Sequence, residues 1–428
     1  MKVVVIGGGA AGMACAYFSA RNGSDVVLLE KNEKLGKKVY ITGKGRCNVT
    51  NDSDFDEFMQ NVVTNPRFMI GAVRAFSPQD TMSMLEELGL NLKVERGNRV
   101  FPYSDKSSDV IKAFERGLKA QGVEIRLNTR VSAIKITDGE VRGVYVCDSD
   151  NSSRGGFGSV SVDDRSADGK EFIECDRVVV CTGGVSYPTT GSTGDGYAFA
   201  KSAGHTVEKA RACLCGLYLK GDFTALAGLS LKNIGYSVYT QGKKIYDDFG
   251  ELLFTHKGIS GPVVLSSSSY ISSMIAQGKN GFTVSIDLKP ALDDKTLDKR
   301  VLKDFGIYKN KTLKNSLVDL MPRSLIPEVI RLAVLDGEKS NSIISKEERT
   351  RLVNTIKDMR YEVTGLYPIE EAIVTGGGVN VKEISPSDME SKLVKGLRFA
   401  GEVLDVDALT GGFNLQCAFS TAFIAAKN

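Results

Sequence analysis

The chain has 428 residues, more than one hydrophobic core usually serves, so two or three domains are expected. Its 55 basic residues are interspersed with 52 acidic ones for a net charge of +3, which argues against a broad polyanion-binding surface and against nucleic acid as a partner. No stretch offers the ~18 uncharged apolar residues of a membrane span, the N-terminus has no signal-peptide pattern, and the eight cysteines are irregularly spaced. A cytoplasmic protein with reduced thiols and no membrane partner is expected.

In chain order, residues 3–6 read as a short buried strand, 10–21 as a helix, and 25–30 as a second strand ending on an acid. Between the first strand and the helix, Gly7, Gly9 and Gly12 stand at GxGxxG spacing. Gly7 permits the tight turn, Gly9 lets a pyrophosphate approach the backbone, and Gly12 lets the helix pack close to the sheet. Glu30 follows Gly12 by 18 residues (30 − 12), where a ribose-binding carboxylate is expected. A nucleotide site is therefore expected, and the turn alone leaves FAD and NAD open.

A glycine-rich basic stretch at 36–51 precedes helices at 78–88 and 108–120 and a strand at 123–127. Residues 130–136 and 141–147 alternate around Thr137-Asp138-Gly139-Glu140 as a hairpin, a polar exposed loop is expected at 149–169, and a strand at 177–182 stops at Gly183-Gly184. From 206 to 290 the pattern is β, with strands at 234–240 and 282–288 and a Gln241-Gly242 turn; from 295 to 359 it is helical, as at 324–335 and 345–358. A strand at 362–375 leads back, 398–400 is another strand, and 415–427 is a small apolar final helix. A plain NAD dehydrogenase would complete a six-stranded sheet, whereas this chain runs into a β-meander and returns only at its end. That order favours FAD.

Four segments then carry a resemblance. They are Gly43-Lys44-Gly45-Arg46-Cys47-Asn48-Val49-Thr50-Asn51; Gly183-Gly184-Val185-Ser186-Tyr187-Pro188 with Gly191-Ser192-Thr193-Gly194-Asp195-Gly196-Tyr197; Leu253-Phe254-Thr255-His256-Lys257-Gly258-Ile259-Ser260-Gly261-Pro262; and Gly411-Gly412-Phe413-Asn414-Leu415-Gln416. In this order they resemble the signature segments of the bacterial YhiN/BaiN-type flavoproteins. Cys417 and Ala422 depart from the family pattern, past the flavin-contacting turn.

The resemblance implies an α/β fold: a glutathione-reductase-like Rossmann FAD domain with a β-meander at 1–200 and 373–428, an inserted β-rich substrate domain at 201–292 and 360–372, and a helical subdomain at 293–359. It implies a flavin oxidoreductase, either a reductase of conjugated 3-oxo bile-acid intermediates or an FAD-dependent aminoacetone oxidase.

The cofactor-binding set expected from motif, position and resemblance is Gly7, Gly9, Ala11, Gly12, Glu30, Lys31, Lys38, Gly43, Gly45, Arg46, Cys47, Val131, Thr182, Gly183, Gly184, Gly401, Glu402, Asp405, Gly412, Phe413, Asn414 and Leu415. Gly43, Gly45 and Arg46 are expected beside the flavin ring, with Arg46 a hydrogen-bond donor. Val131 is expected near adenine through its backbone, and Gly401-Glu402 on the ribityl chain, with Asp405 as the alternative acid. Gly411 and Gly412 open a helix whose N-terminal N–H groups would stabilise charge on the reduced flavin.

Catalytic candidates are Tyr187, His256 and Arg46, with His256 as a proton donor and Tyr187 as a proton donor or substrate clamp. Cys213-Leu214-Cys215 is CxC and Cys47 has no partner at redox spacing, so a thiol relay is not expected; nor is a metal site, with only His205 and His256 available. Gly376-Gly377-Gly378 opens no second GxGxxG, so NADH or NADPH would visit transiently. The leading expectation is NAD(P)H-driven reduction of an electron-poor C=C in a small molecule. Apolar segments around 249–254 and 261–265, without an evident acidic cluster, suit a hydrophobic enone. The alternatives are a peroxide-producing amine oxidase and, from another class, an FAD-binding RNA-modification or interaction protein, which near-balanced charge disfavours.

Overall fold

The computed structural model describes residues 1–148 and 171–428, so the loop expected at 149–169 lies outside the described residues. The chain divides into two compact units: Met1–Cys213 with Ile369–Asn428, and Leu214–Pro368.

The first unit is built on a five-stranded parallel sheet in the order Leu397–Phe399, Arg177–Val180, Lys2–Ile6, Asp25–Leu29, Glu124–Arg126. Val3, Val4 and Val5 are wholly buried, as β-branched residues are when helices and a second sheet cover a parallel strand. The Ala10–Arg21 helix crosses from the first strand to the second and packs against the Ser107–Ala120 and Phe413–Ala425 helices. A meander of Thr129–Thr137, Glu140–Asp148 and Glu171–Glu174 packs on the sheet, its first turn made by Asp138 and Gly139, both at positive φ as a type I′ turn requires. The small sheet Thr50–Asn51, Arg99–Pro102, Leu92–Glu95 was not legible in the sequence.

The second unit holds a closed antiparallel barrel: Leu217–Leu219, Gly258–Ser260, Lys243–Thr255, Ser230–Thr240, Phe282–Asp287, Met359–Leu366. The helices Asp294–Ile307, Ile326–Leu332 and Lys346–Lys357 belong to this unit and share its apolar core.

Two segments differ from the sequence reading. The stretch expected to be β from 206 to 290 contains a 15-residue helix, Pro262–Ala276, begun by Pro262 at N1. Its serines hide its apolar periodicity, and two of them bond to the preceding turn, Ser267 donating to the Val264 carbonyl and Ser268 to that of Leu265. The single strand expected at 362–375 is two, Met359–Leu366 in the barrel and Val374–Val379, which pairs with Val207–Cys213 in the first unit.

His205 locks the first unit internally. Its Nε2 lies 2.7 Å from Ser391 Oγ and its Nδ1 3.1 Å from Glu383 Oε2. Ser391 Oγ already accepts the N–H groups of Leu393 and Val394, so its own proton points to Nε2 and the Nδ1 hydrogen faces Glu383. Burial depresses the His205 pKa below its ordinary 6.5 despite Glu383. The folded state therefore binds fewer protons than the unfolded state below about pH 6.5, and stability falls as pH falls through that value. At about pH 7.5 the variant His205→Gln is expected to be about 1–3 kcal/mol less stable than the parent, and the gap should narrow towards about pH 5.5 because only the parent carries this titration. Denaturant unfolding of both proteins across that range checks it; a pH-independent gap contradicts it.

Candidate cofactor and active site

At the end of the first strand Gly7 has φ +101°, and a Cβ there would stand 2.7 Å from the Cys181 carbonyl oxygen. A Cβ on Gly12 would overlap the Gly7 carbonyl oxygen, so helix and strand meet at this residue. Gly9 differs: it is the helix N-cap in extended conformation, and a Cβ would point into open space with nothing within 4 Å. The first-turn N–H groups of a helix lack intrahelical partners and carry partial positive charge, which suits an anion. Ala11 is buried, and a Cβ on Gly401 would come within 2.6 Å of its own Cβ, bringing the late part of the chain against the same turn.

Glu30 is 8% exposed, and its carboxylate accepts the N–H of Gly8 at 2.7 Å and that of Asn32 at 2.8 Å. Lys31 Nζ donates to Thr193 Oγ1 and to Asp195, 2.9 Å away. Thr182, Gly183 and Gly184 follow the Arg177–Val180 strand, at the carboxyl edge where open α/β sheets bind ligands. Thr375 ties this edge down: its Oγ1 accepts the N–H groups of Val185 and Ser186, each at 3.0 Å, and its own N–H donates to Glu402 at 2.7 Å. Glu402, expected on the ribityl chain, is ion-paired to Lys38 at 2.8 Å. Lys38 also donates to Ser186 Oγ. The two cofactor candidates Lys38 and Glu402 thus neutralise each other.

Residues Gly43, Lys44, Gly45 and Cys47 all have positive φ, so this segment presents backbone. Arg46 departs from the expectation: its guanidinium bonds to Glu95 and Asp105 and lies 4.1 Å from the Phe101 ring centroid. Both acids are shared between it and Lys93, so most of its guanidinium donors are engaged within the protein. Cys47 is fully buried and desolvation pushes its thiol up to about 11, so it stays protonated. Val131 lies in the meander with a buried side chain, which makes it core on its side-chain face.

The Phe413–Ala425 helix starts from Gly412 at φ +100°, where a Cβ would overlap the Thr50 carbonyl. Two residues of its first turn have side chains engaged within the protein. Asn414 spends its amide on the backbone of Ala408 and Leu409, and Phe413 packs edge-on against Phe58 at 5.3 Å. Leu415 is half-buried beside them. What this turn offers a ligand is therefore its N–H groups. Asp405 accepts from Asn65 at 3.0 Å and keeps Oδ1 buried without a hydrogen bond.

Tyr187 sits in the left-handed region at φ +50°, its N–H bonded to the Glu370 carbonyl. His256 belongs to the second unit, exposed at the turn between Lys243–Thr255 and Gly258–Ser260. In that unit the expectation of an apolar, acid-free lining is corrected: Phe249 is 53% exposed with Asp247, Asp248 and Glu251 exposed around it, whereas Val263 and Val264 are core. Among the described residues no group of three His, Cys, Asp or Glu is disposed to hold a metal, and no helix is long and apolar enough to cross a membrane. Sequence reading missed Thr375, Arg211 and Asp407, whose partners lie far along the chain and leave no local pattern.

A pyrophosphate-linked dinucleotide fits these residues. The space at Gly9 admits it, and Thr182 Oγ1, Asn48 Oδ1 and Asn51 Oδ1 are buried polar atoms with no hydrogen-bond partner among the described residues. Comparison with known proteins agrees. The family model for the HI0933-like protein Rossmann domain matches residues 1–428. The chain is 30% identical over 432 residues to the 3-dehydro-bile acid delta(4,6)-reductase of Clostridium scindens, covering 100% of this chain and 98% of that one. It is also 30% identical over 427 residues to the ribosomal RNA dihydrouridine synthase of Haemophilus influenzae, covering 99% and 97%. The 3-ketosteroid delta1-dehydrogenase of Sterolibacterium denitrificans shares the fold, with a TM-score of 0.52 at 13% identity over 99% of this chain and 98% of that one. The chain belongs to the HI0933-like family and is an FAD-dependent oxidoreductase.

The glycines make separable predictions. Gly9→Ala should fold with an unchanged apoprotein melting curve and lose FAD affinity by about tenfold or more, because its methyl enters the space of the pyrophosphate. Gly12→Ala should fail to fold or melt far lower, because its methyl meets the Gly7 carbonyl. Apoprotein melting and FAD titration of both variants check this; normal FAD binding by Gly9→Ala contradicts the placement.

Proposed function

We propose that this member of the HI0933-like family reduces a carbon–carbon double bond conjugated to a carbonyl group, with NADH or NADPH as electron donor and a small 3-oxo enone as substrate. The observation that carries the reading is the pair of full-length relatives named for a delta(4,6)-unsaturated 3-dehydro bile acid and for dihydrouridine. Both names imply an electron-poor C=C in conjugation with a carbonyl. FAD, when bound, supplies hydride transfer between the nicotinamide and that carbon.

The chain's own contribution is positioning and electrostatics. The Lys38–Glu402 and Lys31–Asp195 pairs are internally neutral, so the positive ends of the Ala10–Arg21 and Phe413–Ala425 helices are left to favour an anion. The left-handed backbone at Gly43–Gly45 gives a flat ring close access. Tyr187 and His256 remain the proton-donor candidates, and exchange of the buried thiols should matter little.

A second reading is favoured by the dihydrouridine synthase relative: the same bond type lies in uridine within RNA. The net charge of +3 gives RNA little long-range attraction and supports the small-molecule reading. An aminoacetone-type oxidase is the third outcome of one experiment. Anaerobic NADH or NADPH should bleach the flavin within catalytic times, and a 4,6-dien-3-one steroid should restore its colour. Recovery only with a ribosomal RNA transcript selects the second reading; bleaching by aminoacetone alone, with peroxide formed in air, overturns both. Cys47→Ser and Cys213→Ser should retain NAD(P)H-dependent bleaching within about threefold, since Cys47 is held as a buried thiol and no relay partner is spaced for it; loss of turnover at normal FAD content in either would oppose this.

A further inference from the structure

We infer that Arg211 is a positioning residue for the cofactor loop at 402–412, acting through Asp407 from the strand pair Val207–Cys213 and Val374–Val379. The inference rests on the reading that residues 401–414 border FAD and is independent of substrate.

Arg211 faces Gly376 across this antiparallel pair. Its Nη2 donates to Asp407 Oδ1 at 2.9 Å and to Thr64 Oγ1 at 2.8 Å, and Thr64 Oγ1 donates in turn to Asp407 Oδ1 at 2.5 Å. Its Nη1 lies 3.7 Å from Asp405 Oδ1. The Asp407 side chain has no exposed surface, so its charge depends on this guanidinium, the Thr64 hydroxyl and the Cys213 thiol. Burial raises the pKa of both aspartates and Arg211 opposes the rise.

The loop is then carried forward by its own backbone. The Asp407 carbonyl accepts the N–H groups of Val63 and Thr64, and the next residue, Ala408, is bonded in both directions to the Asn414 amide in the first turn of the last helix. Setting Asp407 therefore sets the helix N-terminus that is left for the cofactor.

The same geometry accounts for Gly376-Gly377-Gly378, which begins no second nucleotide motif. A Cβ on Gly376 would stand 2.8 Å from Arg211 Cζ and 2.6 Å from Cys213 Sγ. A Cβ on Gly378 would stand 2.6 Å from the Val403 carbonyl, and one on Gly377 would overlap the Lys209 carbonyl. The glycines let this strand lie directly beneath both the guanidinium and the loop. Val379 adds a two-way backbone link, its N–H to the Val403 carbonyl and its carbonyl to the Asp405 N–H.

The test is FAD titration of apoprotein by flavin fluorescence, with apoprotein melting recorded in parallel. Arg211→Met should raise the FAD Kd about tenfold or more, Arg211→Lys should recover it to within about threefold of the parent, and Asp407→Asn should match Arg211→Met. The double variant Arg211→Met with Asp407→Asn should be no weaker than the weaker single variant, as one shared interaction requires. If Arg211→Met does not fold, Arg211→Gln takes its place under the same tenfold criterion. A Kd within about twofold of the parent, no recovery with lysine, or losses that multiply in the double variant overturns the inference. Gly9→Ala separates the two readings: lost FAD there with Arg211→Met unaffected defeats only this inference, whereas normal FAD binding there defeats the site itself.

Discussion

The first unit depends on how closely the Ala10–Arg21 helix approaches the Lys2–Ile6 strand. At Gly12 the two backbones leave no room for a methyl group, and this contact fixes where the free N–H groups of the first turn stand. The end of the chain holds the same helix from its other side: Gly401 closes on Ala11, Phe423 packs edge-on against Phe18 at 5.1 Å, and Asn22 donates to the Ala426 carbonyl at 3.0 Å. A 155-residue unit, Leu214–Pro368, intervenes in sequence, yet the nucleotide turn is complete only when residues from both sides of it meet.

Around that turn most charged side chains are paired with one another. Lys38 holds Glu402, Lys31 holds Asp195, Arg46 holds Glu95 and Asp105, and Arg211 holds Asp407. Buried or half-buried charges need partners, and each pair also pins two segments together. With those side chains paired internally, helix ends and glycine backbone are groups that can meet an anion, and they need no side-chain ordering to present their N–H groups.

That division explains why fold and site were unequally legible. Positions that act through backbone geometry, such as Gly7, Gly12 and Gly412, announce themselves by residue type and spacing, because a side chain is excluded or a positive φ is required. The internal partners of Arg46 and Asn414 were not legible for the opposite reason. Their residue types suit a ligand, but Glu95 and Asp105 sit on a small sheet with no sequence signal, and the Asn414 amide caps its own loop. The helix Pro262–Ala276 escaped because its buried face carries serines, two of which bond to the preceding turn.

The sequence by itself determined the βαβ start, the nucleotide turn, the return of the chain to its first sheet and the family. These rest on local periodicity and on glycines whose requirement is local. Only the tertiary structure decided which charges are spent inside the protein and which groups remain to meet a ligand. Lys38 and Glu402 lie 364 positions apart, and Arg211 and Asp407 lie 196 apart. Pairing over such separations is set by how the sheet, the late loop and the connecting strands stack, a property of packing in space that no periodicity along the chain encodes.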